Sequence, residues 1–328
     1  MKALIVDDNS PNPVMKIGEH PDPEPGSHEL LVKIEATALN RADLMQKAGK
    51  YPPPDGASPI LGLEMSGVVE ATGENVQKYA KGDRVCGLLT GGGYTEKCVI
   101  HEEMAIPVPE NFSFEEAAAI PEIFLTAYQA VIWLGELKTD ETILIHAGAS
   151  GVGTAAIQIA KQLRQARVVA TAGSSGKLDL CRSLGADLGV NYKEENFAEI
   201  IEQTFGKYKV DVIIDFIGSP YWKKNMSVLA MDSRLIYLSM LGGATVEKMN
   251  LVPILRKRLS IKGSTLRNRT LEYKIKLTKE FSNDCLNLFE TGKLRPVIDS
   301  VFEWENAEKA HQRMGDNKNA GKIILTGM

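Results

Sequence analysis

The chain has 328 residues, 44% hydrophobic and 24% charged, a length that suits about two domains and a composition that excludes disordered and collagen-like chains. Its 38 basic and 42 acidic residues give a formal charge of −4, and no basic block of the kind that grips a phosphate backbone occurs, so nucleic acid is not an expected partner. Four cysteines, Cys86, Cys98, Cys181 and Cys285, form no CxxC pair, which speaks against a disulfide framework or a cysteine-rich zinc site and for a reducing compartment.

The N-terminal MKALIVDDNS reads as a short apolar strand followed by two acids rather than as a signal peptide. No uncharged apolar stretch reaches the ~18 residues of a membrane helix, so a soluble, cytoplasmic protein is expected. The first 120 residues read as irregular β, with runs such as LLVKIEATAL (30 to 39) and SGVVEATG (66 to 73) set between Gly, Pro and Asp. Prolines at 11 to 25 and in YPPPDG (51 to 56) mark loops. From about residue 114 helix formers take over, interrupted at Pro121, and a domain boundary is placed there.

Beyond it strands and helices alternate: TILIHA (142 to 147), a helix from about Val152, RVVATA (167 to 172), a helix through Leu178 to Leu184, and GVNY (189 to 192). The rhythm continues with a helix near 195 to 205, VDVIIDFIG (210 to 218), a helix near 221 to 230, RLIYLS (234 to 239), a helix near 251 to 258 and LSIKGS (259 to 264). Six apolar strands alternating with helices predict an α/β, doubly wound parallel sheet of the Rossmann type. A long helix and a final strand, GKIILT (321 to 326), complete the chain.

The most informative segment is ILIHAGASGVGTAAIQIAKQL (143 to 163), where a strand runs through a glycine turn into a helix. Gly148, Gly151 and Gly153 permit a tight turn and close backbone approach to a pyrophosphate held at the helix N-terminus. Val152, Ala156, Ile159, Ala160 and Leu163 are expected on one face. The spacing, G-x-x-G-x-G, departs from the common G-x-G-x-x-G, so the context of strand and helix matters. About 20 residues on, where an NAD site places an acid for the ribose diol, the chain reads TAGSSGK (171 to 177). Ser174, Ser175 and Lys177 offer hydroxyls and a cation to a 2′-phosphate instead, and Tyr192 either adds a hydroxyl or packs at its strand end; NADPH is the expected cofactor.

NRADLMQKAGKYPPP (40 to 54), LGLEMSGVV (61 to 69), GDRVCGL (82 to 88), GGGYTEKCVI (91 to 100), HAGASGVGTAAIQIAK (146 to 161) and NKNAGKIIL (317 to 325) together resemble the zinc-independent quinone oxidoreductases of the medium-chain dehydrogenase/reductase superfamily, in particular the tumour-suppressor-inducible quinone oxidoreductase group. The resemblance implies a GroES-like, β-rich catalytic domain over 1–122 and 266–328, a Rossmann NADP(H)-binding domain over 123–265, and a homodimer. It also implies that Asn40 lies beside the nicotinamide and that Tyr51 reaches the substrate, although packing in a proline-rich turn is an equal reading of Tyr51. Cofactor contacts implied by position are Thr126, at the start of the helix after the crossover, then Ser150, Gly151, Val152 and Gly153, Gly218 at the end of the fourth Rossmann strand, Ser239, Met240, Leu241 and Gly242 at the end of the fifth, and Asn319.

Zinc alcohol dehydrogenases carry a Cys where this chain has Asn40, a His where it has Leu63 and a further ligand near Glu122, so no metal is expected. Hydride delivery then requires an acceptor that is already electrophilic, and a quinone qualifies. Reduction of an enone or enoyl thioester is a second enzyme reading. A non-catalytic, crystallin-like or RNA-binding role with NADPH as ligand is a third, which the charge disfavours. The five histidines lack ligand spacing, with His146 read as a packed or turn residue, and Asp43 is read as fixing the NRAD loop.

Overall fold

The computed structural model describes residues 1–7 and 13–328; the loop reading of Pro11 falls outside them. The chain divides into two compact units, Met1–Leu125 with Leu266–Met328, and Thr126–Thr265.

The first unit opens with a hairpin of β1 (Lys2–Asp7) and β2 (Val14–Glu19). There follow β3 (Glu29–Ala38), α1 (Arg41–Lys47), β4 (Glu64–Thr72), β5 (Arg84–Leu88), β6 (Lys97–His101), β7 (Ala105–Pro107) and α2 (Phe114–Ala118). In β3 every second residue from Leu30 to Ala36 is buried, the period-two pattern of a strand with one covered face. Pro121 opens α3 (Pro121–Tyr128) at its first position, where a missing N–H costs nothing. The interruption seen in the sequence is thus the junction of two helices, and the division between units falls inside α3. Thr126 accordingly sits in the second turn of α3 rather than at a helix start, because the helix begins at the proline.

The second unit contains β8 (Thr142–Ile145), α4 (Gly151–Arg164), β9 (Arg167–Ala172), α5 (Ser175–Ser183), β10 (Leu188–Asn191), α6 (Phe197–Phe205), β11 (Val210–Asp215), α7 (Trp222–Val228), β12 (Leu229–Tyr237), α8 (Val252–Lys257) and β13 (Ser260–Gly263). The six strands form one parallel sheet in the order β10-β9-β8-β11-β12-β13. That is the doubly wound order, and its direction reverses between β8 and β11, where such sheets bind their ligand. The fifth strand starts at Leu229, five residues before the expected RLIYLS, and its pairing with β11 is irregular between Val210 and Val212. In α4 every residue from Gly153 to Ala160 is buried, whereas Val152 and Leu163 are only partly so. Small side chains bury the helix around most of its circumference, not along a single stripe.

The chain then returns to the first unit through α9 (Leu271–Glu290), β14 (Ile298–Glu303), α10 (Ala307–Gly315) and β15 (Lys322–Thr326). Strand β14 and helix α10 add to the single helix and strand expected there. A seven-stranded sheet runs β14-β15-β3-β4-β5-β7, with β6 also paired to β3. Leu39, Leu61, Tyr94, Trp304, Met314, Ile323 and Leu325 share one core cluster, so N-terminal and C-terminal segments are stitched by burial as well as by pairing.

Candidate active site

In the second unit, Ala147, two residues after β8, takes a left-handed φ of 49° and turns the chain toward α4. Ser150 caps α4, its Oγ accepting the Gly153 N–H at 3.1 Å. A Cβ on Gly153 would stand 2.4 Å from the Ala147 carbonyl oxygen; glycine there brings the helix start against the turn. The remaining first-turn N–H groups, including those of Gly151 and Val152, have no intrahelical partner, as at any helix start.

At the ends of β9 and β10, Tyr192 lies against Gly173, and Ser174 and Ser175 follow Gly173 into α5, whose first turn holds Lys177. A Cβ on Gly173 would lie 2.8 Å from the Tyr192 hydroxyl and 3.1 Å from Lys193 Cε. Ser174, Ser175 and Tyr192 are exposed, and Ser174 precedes α5 without capping it through its side chain. Lys193, which the sequence reading passed over, adds a second cation beside this turn. Its signal was present: a lysine immediately after a strand-end tyrosine.

The loops after β11 and β12 carry the remaining expected residues. Asp215 Oδ1 accepts from the N–H groups of Ile217 at 2.5 Å and Gly218 at 3.0 Å, and Leu241 and Gly242 N–H groups donate to the carbonyls of Phe216 and Ile217. Gly218 has φ 87° and lies against Gly243. Ser239 to Gly242 follow the strand rather than end it, since β12 stops at Tyr237. Met240 and Leu241 are exposed. Below them, Asn225 Nδ2 donates to Asp215 Oδ2 at 2.7 Å, which turns Asn225 Oδ1 toward His146 Nε2 at 2.9 Å. His146 therefore carries its proton on Nε2 and accepts from Thr171 Oγ1 at Nδ1, 3.1 Å away. Burial lowers its pKa; this is the packed histidine the sequence suggested.

In the first unit, Asn40 and Tyr51 have different direct partners, with Glu122 acting on Tyr51 by its charge and bonding to the Glu64 that holds Asn40. Asn40 caps α1 in a box with Asp43, whose Oδ2 accepts the Asn40 N–H at 2.7 Å and whose Oδ1 accepts that of Gly62 at 3.1 Å. Asp43 thus fixes the NRAD loop, and burial lifts its carboxyl to about 6. The Asn40 amide donates to Glu64 Oε1 at 2.8 Å and accepts from Lys322 Nζ at 2.8 Å. Lys322 Nζ also reaches Glu64 at 2.6 Å and the Leu39 carbonyl at 2.7 Å. Glu64 Oε2 accepts the Glu122 N–H at 2.8 Å, and burial with the nearby Glu64 charge raises the Glu122 carboxyl to about 8. Tyr51, partly buried, lies instead under Arg267, whose Cζ is 5.4 Å from the ring centroid. Asn319 stands before β15, its amide donating to the Gly321 carbonyl at 2.9 Å. Thr126 Oγ1 is buried without a hydrogen-bond partner.

The family described as Alcohol dehydrogenase GroES-like domain matches residues 26–110, and that described as Zinc-binding dehydrogenase matches 151–283. Human quinone oxidoreductase is 32% identical over 312 residues, spanning 92% of this chain and 90% of its own. The structure is similar to that of Escherichia coli quinone oxidoreductase complexed with NADPH, with a TM-score of 0.87 and 28% identity over 99% of both chains. It is also similar to CurK enoyl reductase, with a TM-score of 0.85 and 26% identity over 99% of both chains.

Proposed function

Since the chain belongs to the medium-chain dehydrogenase/reductase superfamily and is a quinone oxidoreductase-like oxidoreductase, we propose that it reduces a quinone with NADPH, without zinc. The observation that carries this reading is the fixed ammonium of Lys322, buried against Glu64 and Asn40 at the position where zinc relatives gather their ligands. The family's name implies zinc, but the side chains here do not suit it. Leu63 offers no lone pair, both atoms of the Asn40 amide are engaged, and a cation already occupies the neighbourhood. Among the described residues no group of three His, Cys, Asp or Glu is placed to hold a metal ion.

A nicotinamide cofactor fits the second unit on its own geometry. The turn from Ala147 to Gly153 presents backbone N–H groups to a pyrophosphate, with Ser150 as its cap. Tyr192 and Lys193 against Gly173, Ser174 and Ser175 next to it and Lys177 in the first turn of α5, with no acid in TAGSSGK, support preference for the 2′-phosphate of NADPH. When bound, the cofactor supplies a hydride. The protein's part is to hold Asn40 rigid through Lys322 and Glu64, to keep Glu122 protonated at neutral pH, and to present the Tyr51 phenol as a donor to the acceptor. In this reading Asn40 and Tyr51 face the reaction, and Thr126, Gly218, Ser239 to Gly242 and Asn319 line the cofactor.

Self-association as a homodimer is part of the proposal. Strand β13 is an edge of its sheet, and Ile261 on it is exposed, as are Leu251, Val252 and Leu255 at the helix that precedes it, with Leu255 81% accessible. An uncovered apolar edge of this kind is normally paired. Among the described residues no helix is long and apolar enough to cross a membrane, and a cytoplasmic setting with four reduced cysteines accords with the proposal.

The deciding experiment follows nicotinamide absorbance with NADPH and NADH against an ortho-quinone, a para-quinone, an enone and an enoyl thioester. NADPH-preferring turnover of a quinone is expected. The similarity to an enoyl reductase supports a second reading, and faster turnover of the enone or thioester, with the saturated product recovered, replaces the first by the second.

A further inference from the structure

Arg267 is 6% exposed, yet most of its guanidinium is unused. Nε donates to the Thr90 carbonyl at 2.8 Å, and the residue's own carbonyl accepts from Lys274 Nζ at 2.8 Å. Nη1 and Nη2 are both buried and neither has a hydrogen-bond partner. A guanidinium carries five N–H groups, and leaving a charged donor buried and unmet costs several kcal/mol. A purely structural arginine turns its fork onto a carboxylate. Here Asp43 and Glu122 act on Arg267 through their charges, but neither pairs with the fork. Lys274, also buried, spends its ammonium on the Arg267 carbonyl and leaves the fork unmet.

The guanidinium stands over the Tyr51 ring, 5.4 Å from its centroid. We propose that Arg267 and Tyr51 form an oxyanion-binding pair, the free Nη groups of Arg267 receiving the acceptor oxygen on which negative charge collects. This inference rests on the quinone reductase reading and names the group that does the electrostatic work in it. A quinone that accepts a hydride gains one hydrogen and both electrons of the broken nicotinamide C–H bond, and becomes a hydroquinone monoanion. One proton from solvent completes the hydroquinone, and the dinucleotide leaves oxidised. The charge that appears on the acceptor oxygen is what a desolvated, unpaired guanidinium stabilises.

The test uses 4-nitrophenol as a stable mimic of the monoanion, with its absorbance reporting ionisation in the bound state. Wild-type protein is expected to bind the phenolate and to depress the bound phenol's pKa. Arg267→Met should weaken phenolate binding about 10- to 100-fold and abolish the depression, with NADPH affinity unchanged and quinone kcat lowered about 100-fold or more. Arg267→Lys, which keeps the charge but loses the fork, should fall between and serves if the methionine variant does not fold. Unchanged phenolate affinity and unchanged kcat in a folded variant, or no phenolate binding by wild type, overturns the inference. Arg267-dependent phenolate binding in a wild-type protein that reduces no quinone leaves the anion site standing and removes the quinone reading instead.

Discussion

Lys322 and Glu64 form an ion pair at 2.6 Å with side chains 2% and 0% exposed. The two residues come from opposite ends of the chain, one opening β15 and the other β4, and the Asn40 amide bonds to both. Burying two charges is justified energetically only when all their partners are present, and here every member is hydrogen-bonded.

Removing one partner should therefore be costly. Lys322→Met leaves the Glu64 carboxylate buried and unpaired, and a loss of about 3–5 kcal/mol in unfolding free energy is expected by denaturant titration. The double change Lys322→Met with Glu64→Gln should recover much of it. If both variants are equally unstable, shape and not charge pairing is what Lys322 supplies.

For cofactor choice, Lys177→Ala and Tyr192→Phe should each raise the dissociation constant for NADPH, the lysine change about 10-fold or more, and leave NADH nearly unaltered. Fluorescence titration of both cofactors measures this. Equal effects on the two would separate these residues from the 2′-phosphate.

The pH dependence of stability has a predictable sign at Glu122. Its folded pKa of about 8 lies above the roughly 4.3 of an unfolded chain, so between these values the native state holds a proton that the unfolded state has released. Stability from this group is full below about pH 4 and is lost as pH rises through about 8. Glu122→Gln cannot ionise, and the wild-type decline between pH 6.5 and 9, a few kcal/mol, should flatten. His311, lowered to about 4 by burial, slopes the other way: its contribution is lost as pH falls from about 6.5 through 4. Parallel wild-type and Gln profiles above pH 6.5 would remove Glu122 from this account.

The glycine at the start of α4 has a steric test. Gly153→Ala places a methyl group 2.4 Å from a backbone oxygen that cannot swing aside, so α4 must shift. Stability should fall by about 1–3 kcal/mol and both NADPH and NADH should bind more weakly, in contrast to the selective effect at Lys177. Unchanged affinity for both cofactors would take the turn out of the pyrophosphate site.

Leu255→Asp tests the proposed self-association. Sedimentation should show a dimer for wild type and a shift toward monomer for the variant, with little change in unfolding free energy because the side chain is 81% exposed. A wild-type monomer at micromolar concentration would remove the dimer.

The α/β alternation of the second unit could be read from the chain because each strand and helix is a local pattern of apolar residues, and its glycine turn is announced by residues adjacent in sequence. The gap at Leu63 in the zinc pattern was equally local. What could not be read was contact between distant segments. Lys322 looked like one polar residue in GKIILT, and nothing in its surroundings pointed to Glu64, 258 positions away. Arg267 likewise follows a strand and precedes a helix with no periodic sign that Tyr51 lies beneath it. The early start of β12 at Leu229 escaped because MDS interrupts the apolar run, and only pairing with its neighbours makes that stretch a strand. A charge inside an apolar strand, as at Lys322 and Glu64, is the one signal that was present and could have marked the network.

The pairing of β15 with β3 also sets an order of events during synthesis. The second unit, Thr126–Thr265, is contiguous and all its strands have left the ribosome before α9 begins, so it can fold as its residues appear. The first unit cannot close its sheet until β15 emerges, and until then Glu64 lacks its counter-ion and the β3 edge stays open. Premature termination before residue 322 should therefore yield an N-terminal segment prone to aggregation beside a folded second unit.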